Sequence, residues 1–306
     1  MGKSRFIEYI RFLKAKYTQK YYNIGFAPFV NDIKSFARLD KINWLKNPDQ
    51  NKWYADPFIL EYDETTITVF VEEMDLHVCR GTLTELLVDR RTYCILKSYE
   101  LLNLTTHLSF PAILRLGKEV FVYPENGKSG GSYIYRYDKD SHKLIEKKLL
   151  ANYPLADAVF IDESCNYMLA TDSSNPNGNI ATLYKRENNL FEPLHKYKMN
   201  GNIARNAGTP FKVENFWVRP AQDCNGGYGK GVLLQIIEQD PTGKLSFNTI
   251  DHLYPFNCEY NKGLHTFNVY KDLVVIDSYK EPNRIMKGLI TTTISLLLTI
   301  KKILRK

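Results

Sequence analysis

The chain has 306 residues, 44% of them hydrophobic and 13% aromatic, with 21 Tyr and 16 Phe, a composition that fits a core-forming β-protein. Its net charge of +7 is uneven: residues 1–20 carry +5 and residues 284–306 carry +6, so the body between them carries −4. An acidic body with basic ends argues against nucleic acid, whose binding needs a basic face on the folded domain.

Residues 4–20 place Phe6, Ile10, Leu13 and Tyr17 at i, i+4, i+7 and i+11, an apolar stripe at helical spacing among Lys and Arg. The expectation for 1–20 is a basic amphipathic helix, either packed on the body or lying in an anionic membrane interface. No apolar h-region or small-residue cleavage site follows, so this stretch does not read as a secretory signal. Phe26 to Val30 reads as a strand that closes a ring by pairing with the chain's last sheet, which removes a free edge.

From Trp53 the chain repeats itself. WYADPFIL opens on an aromatic-Ala-Asp-Pro corner, turns at Asp63-Glu64, and returns as Ile67 to Val71 before Glu72 and Glu73. β-branched and aromatic residues at period two, bounded by Asp and Pro, mark a hairpin. Further copies start at HLSFPAIL, PLADAVF, GTPFKV and LHTFNV. Aligned on Asp56, Phe110, Asp157, Thr209 and His265, they are spaced by 54, 47, 52 and 56 residues. Five all-strand units of this period predict one all-β domain over 21–283, a five-bladed β-propeller. The loop Asp223 to Gly231, DCNGGYGKG, lacks the GK[ST] ending of a phosphate loop and reads as a bend that turns Gln222 and Asp223 toward the channel.

Residues 284–306 hold thirteen uncharged residues, Gly288 to Ile300, before KKILRK. A spanning helix needs about 20, so this apolar and basic segment reads as an interfacial anchor or a buried closing helix. Five cysteines, Cys79, Cys94, Cys165, Cys224 and Cys258, are odd in number and lack metal-ligand spacing. They read as reduced thiols of a cytoplasmic protein with no metal and no cofactor.

In a propeller the first strand of each blade lines the channel, so polar groups at one repeat phase converge. That rule nominates Asp56, Asp157 and His265 at the corners, and Glu72, Glu73, Glu125, Asp172, Gln222 and Asp223 after the second strands. Each could alternatively be a turn acceptor or a solvated strand end. Converging carboxylates suit glycosyl chemistry, and Arg205 and Arg219 add forks suited to phosphate or carboxylate.

The segments WYADPFIL, HLSFPAIL with its His107, LADAVF, RNAGTPF, FWVRPAQDCNGGYGKGV and GLHTFNVYKDLVVID resemble the five-bladed propeller domain at the N-terminus of plant glucosamine inositolphosphorylceramide transferases. Similar bacterial proteins occur with polysaccharide-assembly genes. The resemblance covers about residues 50–280. It implies glycosyl transfer with a sugar donor and a glycan or glycolipid acceptor at a membrane face, and a transferase fold located in a separate C-terminal domain. A more distant resemblance, to five-bladed furanosidases and inverting hydrolases, implies Asp56 as base and Asp157 as its tuning partner. The acid of that pattern has no match by phase, since Glu125 lies in the second unit. Catalytic roles are therefore expected of Asp56, Asp157 and Glu125. Glu72, Glu73, His107, Asp172, Arg205, Arg219, Gln222, Asp223 and His265 are expected to bind substrate, with Arg205, Arg219 and His265 holding an anionic donor. Glycoside hydrolysis and non-catalytic sugar or partner binding are the alternatives.

Overall fold

The computed structural model describes residues 20–240, 243–255 and 259–281. Among them the chain forms strands and turns and no helix. The two terminal helices expected from the sequence, and Cys258, lie outside the described residues.

The N-terminal strands β1 (Tyr21–Pro28) and β2 (Asn43–Trp44) precede four complete sheets. These are β3 (Lys52–Tyr62) to β6 (Ile95–Leu102), β7 (Ser109–Leu116) to β10 (Lys143–Ala151), β11 (Leu155–Phe160) to β14 (Leu190–Lys198), and β15 (Phe211–Val213) to β18 (Leu245–Leu253). The fifth sheet joins β19 (Gly263–Tyr270) and β20 (Leu273–Lys280) to β1 and β2. The molecule is a five-bladed β-propeller, as the repeat predicts. Closure takes two N-terminal strands rather than one. β1 starts at Tyr21, pairs along its whole length with β20 (Ile24 opposite Asp277, Phe26 opposite Val275), and carries β2 as the outer edge. Asn23 Nδ2 fastens the two by donating to the Leu45 carbonyl at 2.9 Å.

The repeated corner is a β-bulge. Asp56, Phe110 and Asp157 take left-handed φ values of 49°, 47° and 42°, and the register of each inner strand slips at that point. A bulge leaves its residue without a ladder partner, and a side chain from a neighbouring blade or its own replaces it. Asp56 N donates to Asp277 Oδ2 at 2.9 Å, Phe110 N to Asp56 Oδ2 at 2.9 Å, and Asp157 N to Glu125 Oε2 at 3.0 Å. On the opposite side Thr209 N donates to Asn268 Oδ1 at 3.0 Å. The ring is thus stitched through its centre by polar side chains. The fourth inner strand, β15, has only three residues and begins directly after Pro210. An isolated bridge between Asn206 and Ala221 extends the pairing instead.

Apolar side chains fill the wedges between blades. Phe58 meets Phe110 edge-on at 5.0 Å across the first wedge, and Tyr123 meets Phe160 at 5.0 Å across the second. Burying each ring is worth about 2–3 kcal/mol.

Candidate active site

One polar group at the centre of the ring is Asp56–His265–Asp277, all three buried. Asp277 takes hydrogen bonds from the backbone N–H of Asp56, His265 and Thr266, and lies 2.7 Å from His265 Nδ1. His265 Nε2 points at Asp56 Oδ1, 3.3 Å away. Burial alone would push the His265 pKa down, but the flanking carboxyls of Asp277 and Asp56 lift it to about 9. The resulting imidazolium and the N–H donors hold Asp277 below the usual carboxylate range despite its burial. Asp56 goes the other way. Burial raises its pKa well above the usual range; the His265 charge opposes this, and Glu72, Asp157 and Asp277 reinforce it. Asp56 Oδ2 is tied to Phe110 N, while its buried Oδ1 accepts no hydrogen bond. Tyr22 walls the group, its ring 5.1 Å from the imidazole and 4.9 Å from Trp53.

These three residues place potential metal-ligand atoms within 4.8 Å of one another. Asp277 is already spent on three N–H groups and the imidazole Nδ1. That leaves only His265 Nε2 and Asp56 Oδ1, fewer than the three or four protein ligands of a zinc site. The arrangement fits an imidazolium held between two carboxyls.

The second group is built on Arg205, on the segment that leads into the fourth blade. Its Nε and Nη2 clamp Asp157, Nη2 also reaches Glu125 Oε2 at 2.9 Å, and Nη1 donates to Asn177 Oδ1 at 3.1 Å. Gln222 Nε2 adds a 2.8 Å bond to Asp157 Oδ2, and Asn206 Nδ2 holds the Asp157 carbonyl at 2.7 Å. Burial pushes the Asp157 carboxyl up to about 8; the guanidinium opposes this and Glu125 reinforces it.

At the rim, exposed His107 places Nε2 3.2 Å from Glu72 Oε1 and accepts the Gly81 N–H on Nδ1 at 3.0 Å. That bond fixes the proton on Nε2. Burial disfavours a second proton, Glu72 favours it enough to raise the pKa, and gaining it would break the Gly81 bond. Position 81 admits only glycine, since a Cβ there would lie 2.5 Å from the Leu108 carbonyl and 2.8 Å from Glu72 Oε1.

The glycine-rich loop differs from expectation. Gln222 does face the cluster, but Asp223 turns away to Asn225 and to His252, 3.1 Å off. What the loop presents is Tyr228, half-buried, whose ring lies 5.1 Å from the His265 ring and 5.1 Å from the Arg205 guanidinium carbon. Gly229, at φ 65°, sits where a Cβ would come 2.8 Å from that of His265. Lys20 Nζ steadies the loop through the Tyr228 carbonyl at 2.8 Å.

Three more nominated residues stand apart. Glu73 lies inside β4 (Thr66–Asp75), where alternation sends it to the opposite face from Glu72, and it pairs with Lys52 at 2.6 Å. Asp172 is exposed and caps the Ser174 N–H at 2.8 Å. Arg219 is fully buried, and its guanidinium is consumed by Asn206 Oδ1 at 2.6 Å, Gln235 Oε1 at 2.6 Å and the Ala204 carbonyl. It supports the Asn206 that holds Asp157, and it is not open to a ligand. Asp277, Asn206, Asn177 and Tyr228 were not nominated. The repeat phase could have found Asp277, which stands beside the fifth bulge as Glu72 and Glu125 stand beside the first two.

A family model described as glucosamine inositolphosphorylceramide transferase 1, N-terminal, matches residues 37–273. The chain belongs to this family. Glucosamine inositolphosphorylceramide transferase 1 of Oryza sativa subsp. indica is 26% identical over 209 residues, covering 62% of this chain and 27% of the relative. That of Arabidopsis thaliana is 26% identical over 173 residues, covering 53% and 22%. The chain therefore spans about a quarter of the length of the curated relatives it matches. Among solved structures, the GH43_1 enzyme from Xanthomonas citri complexed with xylose superposes with a TM-score of 0.47 at 9% identity, over 78% of this chain and 96% of that one. RS223-Beta-xylosidase gives 0.46 at 10%, over 63% and 73%.

Proposed function

We propose that this glucosamine inositolphosphorylceramide transferase family propeller acts in glycosyl transfer, joining a sugar donor to a glycan or glycolipid acceptor in surface polysaccharide or glycolipid assembly at a cytoplasmic membrane face. The relatives' names support transfer, and the basic chain ends support the membrane face. Among the described residues no helix is long and apolar enough to cross a membrane.

The observation that carries a catalytic role is Asp56. It is a buried carboxyl of raised pKa with one oxygen anchored on a backbone N–H and the other 3.3 Å from a charged imidazole. Such a group takes the proton of an acceptor hydroxyl as that oxygen bonds to the anomeric carbon and the donor's leaving group departs with the electron pair of the broken bond. Asp157 and Glu125 support the site. Hydrolysis fits less well, because an acid–base pair stands about 5–9.5 Å apart across the scissile bond. Glu125 and Asp157 share a single guanidinium nitrogen instead. A non-catalytic sugar-binding propeller is the second reading. It is favoured by the capping bonds that already occupy Asp56, Asp277 and Glu125.

The test is transfer followed by mass spectrometry, using purified protein, anionic vesicles and a panel of nucleotide-sugar and polyprenyl-phosphate-sugar donors. The control is Asp56→Asn, which keeps an oxygen for the Phe110 N–H. The expected result is product with the wild type and at least a hundredfold loss in the variant. Free sugar without acceptor product indicates hydrolysis. Saturable sugar binding by both proteins without turnover indicates the binding propeller.

A further inference from the structure

The two cations at the centre of the described cluster are already paired with carboxyls. Arg205 is divided between Asp157 and Glu125, and His265 lies between Asp277 and Asp56. The carboxyls of Asp157 and Glu125 on one side and of Asp277 and Asp56 on the other already occupy these cations, so an incoming phosphate would have to displace a carboxyl partner. The under-used atoms have the opposite character. Gln222 Oε1 is a buried acceptor with no hydrogen bond among the described residues, and Asp56 Oδ1 has only the 3.3 Å contact with His265 Nε2. Gln222 is fully buried, and its own amide nitrogen is fixed on Asp157, so its free oxygen belongs to the same cluster. A buried acceptor without a donor is costly, and hydroxyl groups would satisfy both. Tyr228 completes the pattern. Its ring stands edge-on to the His265 imidazole at 5.1 Å, with the Arg205 guanidinium carbon at 5.1 Å and Lys20 Nζ at 5.3 Å. It offers a half-buried aromatic surface of the kind on which the C–H face of a sugar packs.

We infer that the channel cluster binds the uncharged carbohydrate of the transfer, through its hydroxyls and one ring face, and excludes the phosphate-bearing partner. The inference rests on the carbohydrate reading above. It corrects the expectation that Arg205, Arg219 and His265 hold an anionic donor: the first and third are spent on carboxyls, and the second is sealed inside the fourth blade. The phosphate of the donor is then bound outside this cluster.

Saturation-transfer NMR and calorimetry on the full chain would compare methyl glycosides of glucose, galactose and mannose with glucose 1-phosphate and UDP-glucose. The expected result is that at least one methyl glycoside binds and both phosphates bind at least tenfold more weakly. In Glu125→Gln, which keeps an oxygen for the Asp157 N–H but frees half of Arg205, the ratio should shift toward the phosphates by about fivefold or more. In Tyr228→Ala the glycoside signals should fall at least tenfold. Tighter binding of a phosphate to the wild type overturns the inference while leaving the carbohydrate reading in place. An unchanged ratio in Glu125→Gln does the same. Failure of both ligand classes to bind the wild type overturns the carbohydrate reading and the inference with it.

Discussion

Asp277 shows how much one side chain carries here: it fixes the bulge of the first blade, orients the imidazole and supplies its counter-charge. Asp277→Asn leaves a single acceptor oxygen and turns an amide NH2 toward groups that donate. The expected cost is about 3–5 kcal/mol, as when one partner of a buried pair is removed. With its main anion gone, the His265 titration midpoint should drop from about 9 by a unit or more. Denaturant unfolding and imidazole NMR titration check the two parts; a midpoint that stays near 9 would show that Asp56 alone holds the charge. Arg219→Met tests a different role. It strands three buried acceptors on Asn206, Gln235 and Ala204, which at about 1–3 kcal/mol each predicts a loss of 3 kcal/mol or more in thermal or urea unfolding. Sequence could not separate these two roles for arginine. Arg205 and Arg219 flank the same corner, yet one meets carboxylates and the other neutral amides, because their partners sit on different elements.

The blade pattern was legible because its chemistry is local. The first three corners each turn one residue into a left-handed bulge and then start an apolar strand, so similar residues return at those copies. What satisfies the corner was not legible. The Asp56 N–H meets a residue 221 positions away, and Asp157 is held by Arg205 from 48 positions away. Closure was half legible for a related reason. Strand Phe26 to Val30 was expected, but the ladder starts at Tyr21 and stops at Pro28, where Phe29 N still reaches the Asp272 carbonyl at 2.8 Å. Two strands on the last blade make the N-terminal segment part of the core, with Ile24 and Phe26 fully buried. A chain starting at residue 45 should therefore lose more than an edge. It exposes β20 and the wedge beneath it, and the expected outcome is association or aggregation on size exclusion, with loss of cooperative melting. A monomer with an unchanged melting curve would contradict that role for β1.

On the scale of the molecule, the acidic body folds around carboxyls that water would solvate better, and that choice makes stability depend on pH. His265 titrates near 9 when folded against about 6.5 when unfolded, and Asp157 near 8 against about 3.8. Both bind more protons folded than unfolded between pH 6.5 and 8, so the unfolding free energy falls as pH rises through that window. The slope is at most about 1.4 kcal/mol per pH unit for each group. From 8 to 9 the His265 contribution continues while that of Asp157 has ended. Asp277 has the reverse sign: its lowered pKa supplies stability above the unfolded carboxylate value, lost as pH falls through the folded one. Urea midpoints measured from pH 5 to 10 should thus be highest at the acid end and decline toward about pH 9, most steeply between about 6.5 and 8 where both groups titrate. Asp157→Asn should remove the Asp157 share of the decline below pH 8 and leave the His265 share, which runs from about 6.5 to 9. If the whole decline survives in that variant, the ion pair with Arg205 keeps Asp157 ionised throughout. Asp56 would then be the one carboxyl of raised pKa in the site, and the proton chemistry of the channel would rest on it alone.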